Sequence, residues 1–362
     1  MIGLSKIFPP PAFLTMPCIG VDISDTSLKY ISFKPSSKQG GDRVLDLWGD
    51  IDIPTGIVNR GQVIDPTKLV AVLKEFKTAT NAEFIRVSLP EERAYLFETS
   101  IKRGTPLKEI RSLLEFRLEE NVPIPSKDVF FDYMLLPGTS DKRSVEVAVA
   151  AYAKETIQQY YDSCVEAKLH PISFEVEAQA VARAAVPHDA TGSTMLVDFG
   201  KTRTGIGIVY KDTLLYTSTI DIGGDMLSQA LRKVLGSDVS EKELTQLKNT
   251  QGLVKGVDSS EIAETLLSTI SVIKDELATR MQYWHLRNGG GDDRRITSIQ
   301  LSGGSSNLKG LTTYLTESLK VPCVLANVWE NSFDLNDVVP PIDKRHSFGY
   351  ATAIGLALYQ SS

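Results

Sequence analysis

Cysteine and histidine are scarce in this chain, and each scarcity removes a class of chemistry. Three cysteines occur in 362 residues, Cys18, Cys164 and Cys323. They are odd in number, far apart and set in apolar surroundings, so they form neither a disulfide framework nor a metal motif and read as core thiols of a reducing compartment. None of the four histidines has a partner at metal-ligand spacing, and nothing supports Ser–His or Cys–His catalysis. His170, beside Pro171, reads as the end of a helix. No run of about 18 apolar residues exists to cross a bilayer. No Lys/Arg block stands out, and the formal net charge is −6, which argues against a nucleic-acid surface. The start, MIGLSKIFPPPAFLTM, is too short and too broken by proline for a secretory signal and reads as a loose tail. A cytoplasmic protein is expected.

The informative stretch runs from Thr194 to Gly224. Met195-Leu196-Val197 is an apolar run that reads as a buried strand, ended by Asp198-Phe199-Gly200. Lys201-Thr202-Arg203-Thr204 forms a polar turn, and Ile206–Tyr210 and Leu214–Ile220 return as strands. A buried strand that ends in Asp and Gly and turns through hydroxyl residues suits a polyphosphate. Glycine lets the backbone approach, the turn offers N–H and O–H donors, and the carboxylate can hold a hydrated Mg²⁺. On its own the stretch is equally a plain hairpin.

The same arrangement occurs near the start. Cys18–Ile23 reads as a strand ending at Asp22, Ser24-Asp25-Thr26-Ser27 as the turn, and Leu28–Phe33 and Val44–Ile53 as further strands. Two copies suggest two related halves that face one cleft. A third loop follows the buried strand Ile296–Leu301: Ser302-Gly303-Gly304-Ser305-Ser306. Its two glycines have no side chain to block a sugar or base.

Between these loops the elements are regular. Asp65-Pro66 starts a helix with Leu69, Val72, Leu73 and Phe76 on one face. After strand Phe84–Leu89, a segment of mixed elements looks inserted. It has a strand at Tyr95–Ile101, a helix with Ile110, Leu113, Leu114 and Leu118 on one face, and strands Val129–Leu136 and Val145–Ala151 around a turn at Pro137–Ser140. A helix striped with Ile157, Tyr160, Tyr161, Cys164 and Val165 follows. An Ala-rich helical stretch from Glu175 to Ala185 leads into the central hairpin. Gly223-Gly224 opens a helix carrying Met226, Leu227, Leu231 and Val234, and Ser240 with Glu243 form a capping box. A long helix from Ser259 to Arg287 stops at Asn288-Gly289-Gly290-Gly291. The chain closes on a small-residue helix, Phe348–Leu358, suited to close packing.

In this order the three loops resemble the actin-like ATPase superfamily. CIGVDISDTSLKYISF resembles its first phosphate loop, with Lys29 placed as in that pattern, MLVDFGKTRTGIGIV its second, and IQLSGGSSNLKGL its adenosine loop. EVEAQAVARA resembles the connecting helix, in which Glu177 matches the acid that orients the attacking water. Within the superfamily the resemblance is to the PilM family of type IV pilus assembly proteins, close to FtsA, over nearly the whole chain. LLEFRLEENVPIPSKDVFFDY and the long helix around Glu276 carry it.

That resemblance implies an α/β, two-lobed actin-like fold with an inserted α+β subdomain. The implied parts are a tail (1–16), subdomain 1A (17–90), inserted subdomain 1C (91–153), connecting helices (154–186), subdomain 2A (187–235 and 292–362) and subdomain 2B (236–291). It implies ATP with Mg²⁺, held by Asp22, Ser24, Asp25, Thr26, Lys29, Asp198, Gly200, Lys201, Thr202, Arg203, Gly223, Gly224, Glu276, Gly303, Gly304 and Ser305, with Asp22 and Asp198 on the metal through water. Departures from the family pattern weaken expected turnover. Ser24 replaces a glycine of the first loop, and Asp25 would set a negative charge beside the phosphates unless Mg²⁺, Lys29 or Lys201 offset it. Gly205 stands where many ATPases carry a further Asp, while Lys201 and Arg203 add positive charge. The expected function is an ATP-binding scaffold of a type IV pilus or related type II secretion machine, with weak or absent ATPase activity. It would dock a PilN-like peptide between 1A and 1C at the inner face of the membrane, beside other assembly proteins and with self-association. A sugar kinase-like phosphotransferase would need a free catalytic base, and Glu177 and Asp198 are already used by the ATPase pattern. An FtsA-like division protein would carry a terminal amphipathic helix behind a linker, where this sequence stops at Tyr359-Gln-Ser-Ser.

Overall fold

The computed structural model describes residues 18–34, 43–136, 143–254, 260–287 and 294–359. The expected tail, the turn at 137–140 and the glycine run at 288–291 lie outside them.

Two five-stranded sheets share one connectivity. In the first lobe, β1 (Cys18–Ile23), β2 (Ser27–Lys34) and β3 (Val44–Asp52) form an antiparallel meander, and β6 (Phe84–Leu89) and β10 (His170–Val176) add in parallel on the other side of β1. In the second lobe, β11 (Ser193–Phe199), β12 (Thr204–Tyr210) and β13 (Thr213–Ile220) form the meander, and β14 (Ile296–Ser302) and β15 (Cys323–Leu325) add in parallel. Each sheet therefore reads third, second, first, fourth, fifth, which is the duplication expected from the two loops. The central strands are apolar without alternation because both faces are covered: Val21, Met195, Leu196 and Val197 are all buried.

Helix ends follow local chemistry. Asp65 caps α1 (Pro66–Thr80) by accepting from the Lys68 N–H at 3.1 Å, and Leu69, Val72, Leu73 and Phe76 are buried as their spacing requires. A two-strand ribbon, β4 (Val58–Asn59) and β5 (Gln62–Val63), precedes it. In the insertion, β7 (Tyr95–Lys102), β9 (Ser144–Ala153) and β8 (Val129–Leu135) form a three-stranded sheet, with β9 central, covered by α2 (Leu107–Asn121). Ile110, Leu114, Leu118, Val129, Val147 and Val149 form its own core. Leu113 is exposed, so the α2 stripe is narrower than expected. The opposite side of this sheet meets the second lobe: Leu136 and Ala148 join that lobe's core, and Glu98 pairs with Arg294 at 2.6 Å and Arg287 at 3.3 Å.

Three expectations are corrected. His170 does not end a helix. The helix α3 (Lys154–Glu166) stops earlier, with Tyr161 and Val165 exposed, and His170 opens β10. Pro171 is tolerated because β10 is an edge strand with a register shift at that point. The helix expected from Glu175 starts at Glu177, forming α4 (Glu177–Ala185). The stretch 292–362 also does not belong wholly to the second lobe. Trp329, Phe333, Phe348, Tyr350 and Ile354 lie in the first-lobe core. The second lobe keeps α5 (Gly224–Leu235), with Met226 and Val234 exposed, α6 (Glu241–Thr250) behind its Ser240/Glu243 capping box, α7 (Ser260–Arg287) and α8 (Leu311–Leu319). After the short α9 (Lys344–Ser347), α10 (Ala351–Leu358) crosses back onto β1 and α4. A Cβ on Gly355 would lie 1.7 Å from the Ala180 carbonyl oxygen, and one on Gly20 would lie 2.3 Å from that of Ala353. Glycine at both positions sets this close approach.

Candidate functional site in the interlobe cleft

All three sequence-identified loops leave the carboxyl ends of central strands, where ligands of open α/β sheets bind. The first loop is a closed turn. Ser24 N–H donates to the Ser27 carbonyl at 2.9 Å, and Ser24 Oγ accepts from the Ser27 N–H at 3.2 Å, so this hydroxyl is engaged within its own turn. Asp22 near the end of β1 accepts from Ser88 Oγ at 2.8 Å and stands directly across from Lys29 on β2. Lys29 Nζ donates to Ser27 Oγ. Asp198 near the end of β11 packs against Gly303, where a Cβ would come within 2.3 Å of its Oδ1. Gly303 has φ of +84°, a conformation that glycine adopts without strain.

Four carboxyl groups converge between the lobes. Besides Asp22 and Asp198 they are Glu177, the first residue of α4, and Glu91, which opens a 3₁₀ turn (Glu91–Arg93) after β6. Glu91 is 4% exposed, and its Oε2 has no hydrogen-bond partner among the described residues. A Cβ on Gly205 would lie 2.6 Å from that oxygen, so a side chain at 205 would collide with it. Burial pushes the Glu91 carboxyl up to about 8, reinforced by Asp198 and Glu92. Burial and Asp22 raise Asp198 to about 6, against the pull of Lys29 and Arg203. Burial raises Asp22 as well, offset in part by Lys29 and Ser88. Glu177 is held well above the carboxylate range by burial and then by Asp22, Glu91, Glu92 and Asp198. Such a cleft favours protons or cations over bare anions.

Asp25 does not face this cleft as a free charge. Its carboxylate accepts from the Arg60 N–H at 3.1 Å and the Gly61 N–H at 3.3 Å and pairs with Arg203 Nη2 at 2.7 Å. Arg203 Nη1 also pairs with Glu92. The positive charge expected from Arg203 is thus neutralised by two acids, and the expected repulsion from Asp25 is offset by Arg203 in place of Lys29 or Lys201. A second ion pair, Arg60 with Asp221, joins the lobes beside it.

The remaining expected residues divide in two. Lys201 and Thr202 are exposed at the tip of the second loop, and Thr26 is half-buried in the first. Gly304 borders open space, with no atom within 4 Å of where a Cβ would stand. Others are structural. Gly224 N–H donates to the Gly200 carbonyl at 3.0 Å, Ser305 Oγ donates to the same oxygen at 2.9 Å, and Gly223 lies against the backbone of Lys201–Arg203. Glu276 pairs with Arg280, which donates to Ser218 Oγ at 3.1 Å. Among the described residues no three His, Cys, Asp or Glu side chains gather as metal ligands. Sequence reasoning missed Glu91 and Glu92. Their signal was a pair of acids directly after Pro90 at a strand end, which reads as exposed loop.

A second cavity, of about 310 Å³, opens where the insertion meets the first lobe. Arg111 and Glu115 of α2, Ser126, Lys127, Val129, Phe130 and Phe131, and Lys154 at the start of α3 line it. Arg111 lies 4.7 Å from the Phe131 ring centre and Lys154 5.4 Å from that of Phe130, so cations and aromatic faces alternate around the opening. Sequence pattern named none of these residues for binding.

Comparison with known proteins follows this geometry. The family model described as type IV pilus assembly protein PilM matches residues 20–361. Among solved structures, the PilM–PilN type IV pilus biogenesis complex superimposes with a TM-score of 0.74 at 21% identity, covering 94% of this chain and 98% of that one. The ethanolamine utilization protein EutJ from Carboxydothermus hydrogenoformans gives 0.55 at 15% identity, covering 98% and 91%. MreB5 of Spiroplasma citri bound to ADP gives 0.50 at 13%, covering 87% and 93%. These likenesses establish the actin-like two-lobed fold. At such identities they establish nothing finer.

Proposed function

The chain belongs to the type IV pilus assembly protein PilM family, and we propose that it is a cytoplasmic nucleotide-binding scaffold whose insertion docks the tail of a PilN-type membrane partner. The observation that carries the partner half is the cavity between α2, β8 and α3. It lies where the insertion meets the first lobe, in a fold shared along nearly its full length with the PilM–PilN complex. Its rim carries Arg111, Lys127 and Lys154 around Phe130 and Phe131, with one acid, Glu115, paired to Arg111 at 3.8 Å, and suits a peptide with apolar anchors and acidic or carbonyl oxygens. No helix among the described residues is long and apolar enough to cross a membrane. Contact with the inner membrane would run through the partner.

The residues of the cleft fit a magnesium nucleotide. Gly304 leaves an open face for a sugar, Lys201 and Thr202 offer donors at the second loop, and Asp22 and Asp198 would meet a hydrated Mg²⁺ from either side. A bound Mg²⁺ would supply the positive charge that phosphates need to share a cleft with four carboxyl groups. Glu177, the expected water-orienting acid, opens α4 in this cleft, and burial together with Asp22, Glu91, Glu92 and Asp198 raises its carboxyl well above the ordinary range.

A synthetic peptide of the PilN-type cytoplasmic tail, titrated by fluorescence anisotropy, tests the docking half. Lys154→Glu, at a half-buried side chain, and Phe130→Ala, at an exposed one, are expected to weaken it at least tenfold while leaving nucleotide affinity unchanged. Unaltered peptide affinity in both variants refutes the groove.

A further inference from the structure

The second lobe has a cavity of about 310 Å³ that neither the cleft nor the partner groove uses. It lies at the Ile296 end of β14, whereas the adenosine-type loop at Gly303 leaves the other end of the strand. Met281 and Trp284 of α7, Ile296 of β14, and Leu319 and Val321 around the end of α8 form its walls. Trp284 is 1% exposed, and its indole N–H donates to the Arg294 carbonyl at 2.7 Å. The ring is fixed and its one polar group is satisfied, so the cavity is apolar by construction.

The rim has the opposite character. His285, Arg295 and Lys320 border the opening, and all three are exposed. Among the described residues no ion pair joins any of them to an acid. Their neighbours differ: Arg294 pairs with Glu98 and Glu146, and Arg287 with Glu98. Among the described residues the rim around this apolar hollow is thus basic, in a chain of net charge −6. Lys320 closes α8 at φ of +59°, in the left-handed region.

We propose that this cavity binds a small anionic amphiphile, of the medium-chain carboxylate class, with its chain among Met281, Trp284, Ile296 and Leu319 and its head on Arg295 and Lys320. The cavity is at the lower end of the range of small-molecule sites, roughly 300–1,000 Å³, which limits the tail to a short one. Arg295 offers the planar fork that matches a carboxylate, and Lys320 adds a point charge.

The test is calorimetry of the full chain with octanoate, octan-1-ol and octyltrimethylammonium, together with the indole ¹H–¹⁵N resonance of Trp284. Octanoate is expected to bind and move the Trp284 resonance, octanol to bind at least tenfold more weakly, and the cationic amphiphile not to bind. The double variant Arg295→Ala/Lys320→Ala, altered only on exposed side chains, should lose octanoate affinity at least tenfold and keep the affinity for magnesium nucleotide of the unaltered chain. Absence of octanoate binding, equal affinity for octanoate and octanol, or unchanged affinity in the double variant overturns the proposal.

Discussion

Arg203 of the second loop lies 2.7 Å from Asp25 of the first, so one ion pair ties together the two loops that face each other across the cleft. With Glu92 on the other arm of the guanidinium, three side chains, each under one-fifth exposed, join both lobes to the root of the insertion. Removing the cation leaves two largely buried carboxylates without their shared countercharge, Asp25 keeping only the Arg60 and Gly61 N–H donors. Arg203→Ala is expected to lower the unfolding free energy by about 3 kcal/mol, and Asp25→Asn by less because Arg203 keeps Glu92. Urea denaturation with an unchanged m-value checks both.

The C-terminal helix offers a sharper stability test. Gly355 lies so close to Ala180 that an added Cβ would overlap its carbonyl oxygen. Gly355→Ala should cost about 3 kcal/mol or more, despite the better helix propensity of alanine, because α10 must move off α4. A thermal midpoint equal to that of the unaltered chain would show that the helices do not approach as closely as described.

The neighbouring glycines of the third loop should behave differently from each other. Gly303→Ala meets Asp198 and a left-handed φ, so a loss of about 2 kcal/mol in stability together with nucleotide affinity is expected. Gly304→Ala meets open space, so stability should change by less than about 0.5 kcal/mol. If a sugar lies across that face, affinity alone falls. Paired denaturation and binding curves separate the two effects.

The raised carboxyls predict a pH dependence whose sign is fixed. Glu91 ionises at about 8 in the folded chain against an ordinary 4.5, and Asp198 at about 6 against 3.8. The folded state therefore binds more protons than the unfolded state between these limits, and stability falls as pH rises through them. Their contribution is complete below about pH 4 and lost by about pH 8. Glu91→Gln, which keeps the shape and removes the titration, should flatten the upper part of this fall in denaturation curves from pH 5 to 8.

Much of this was legible in sequence because the chain repeats itself. Asp22 and Asp198 end matching apolar strands, so each supports the other's reading, and the shared strand order bears out the two halves. What stayed hidden is non-local. Nothing near Asp25 indicates that its partner is Arg203, 178 positions away. Glu91 follows Pro90 and reads as exposed loop until β12 closes over it. Strand β10 carries Pro171 and polar residues because it is an edge, and edges lack the pattern of buried strands. The small residues of α10 announce close packing but not which sheet receives it.

The most direct measurement is calorimetry of ATP with and without Mg²⁺ on the unaltered chain and on Asp198→Ala. Four carboxyl groups gathered in the cleft should make binding depend on the cation. The expected result is binding with Mg²⁺, little or none in EDTA, and a loss of at least tenfold in Asp198→Ala. Equal affinity without Mg²⁺, or no binding at millimolar nucleotide, would contradict the account of the cleft as a magnesium-nucleotide site.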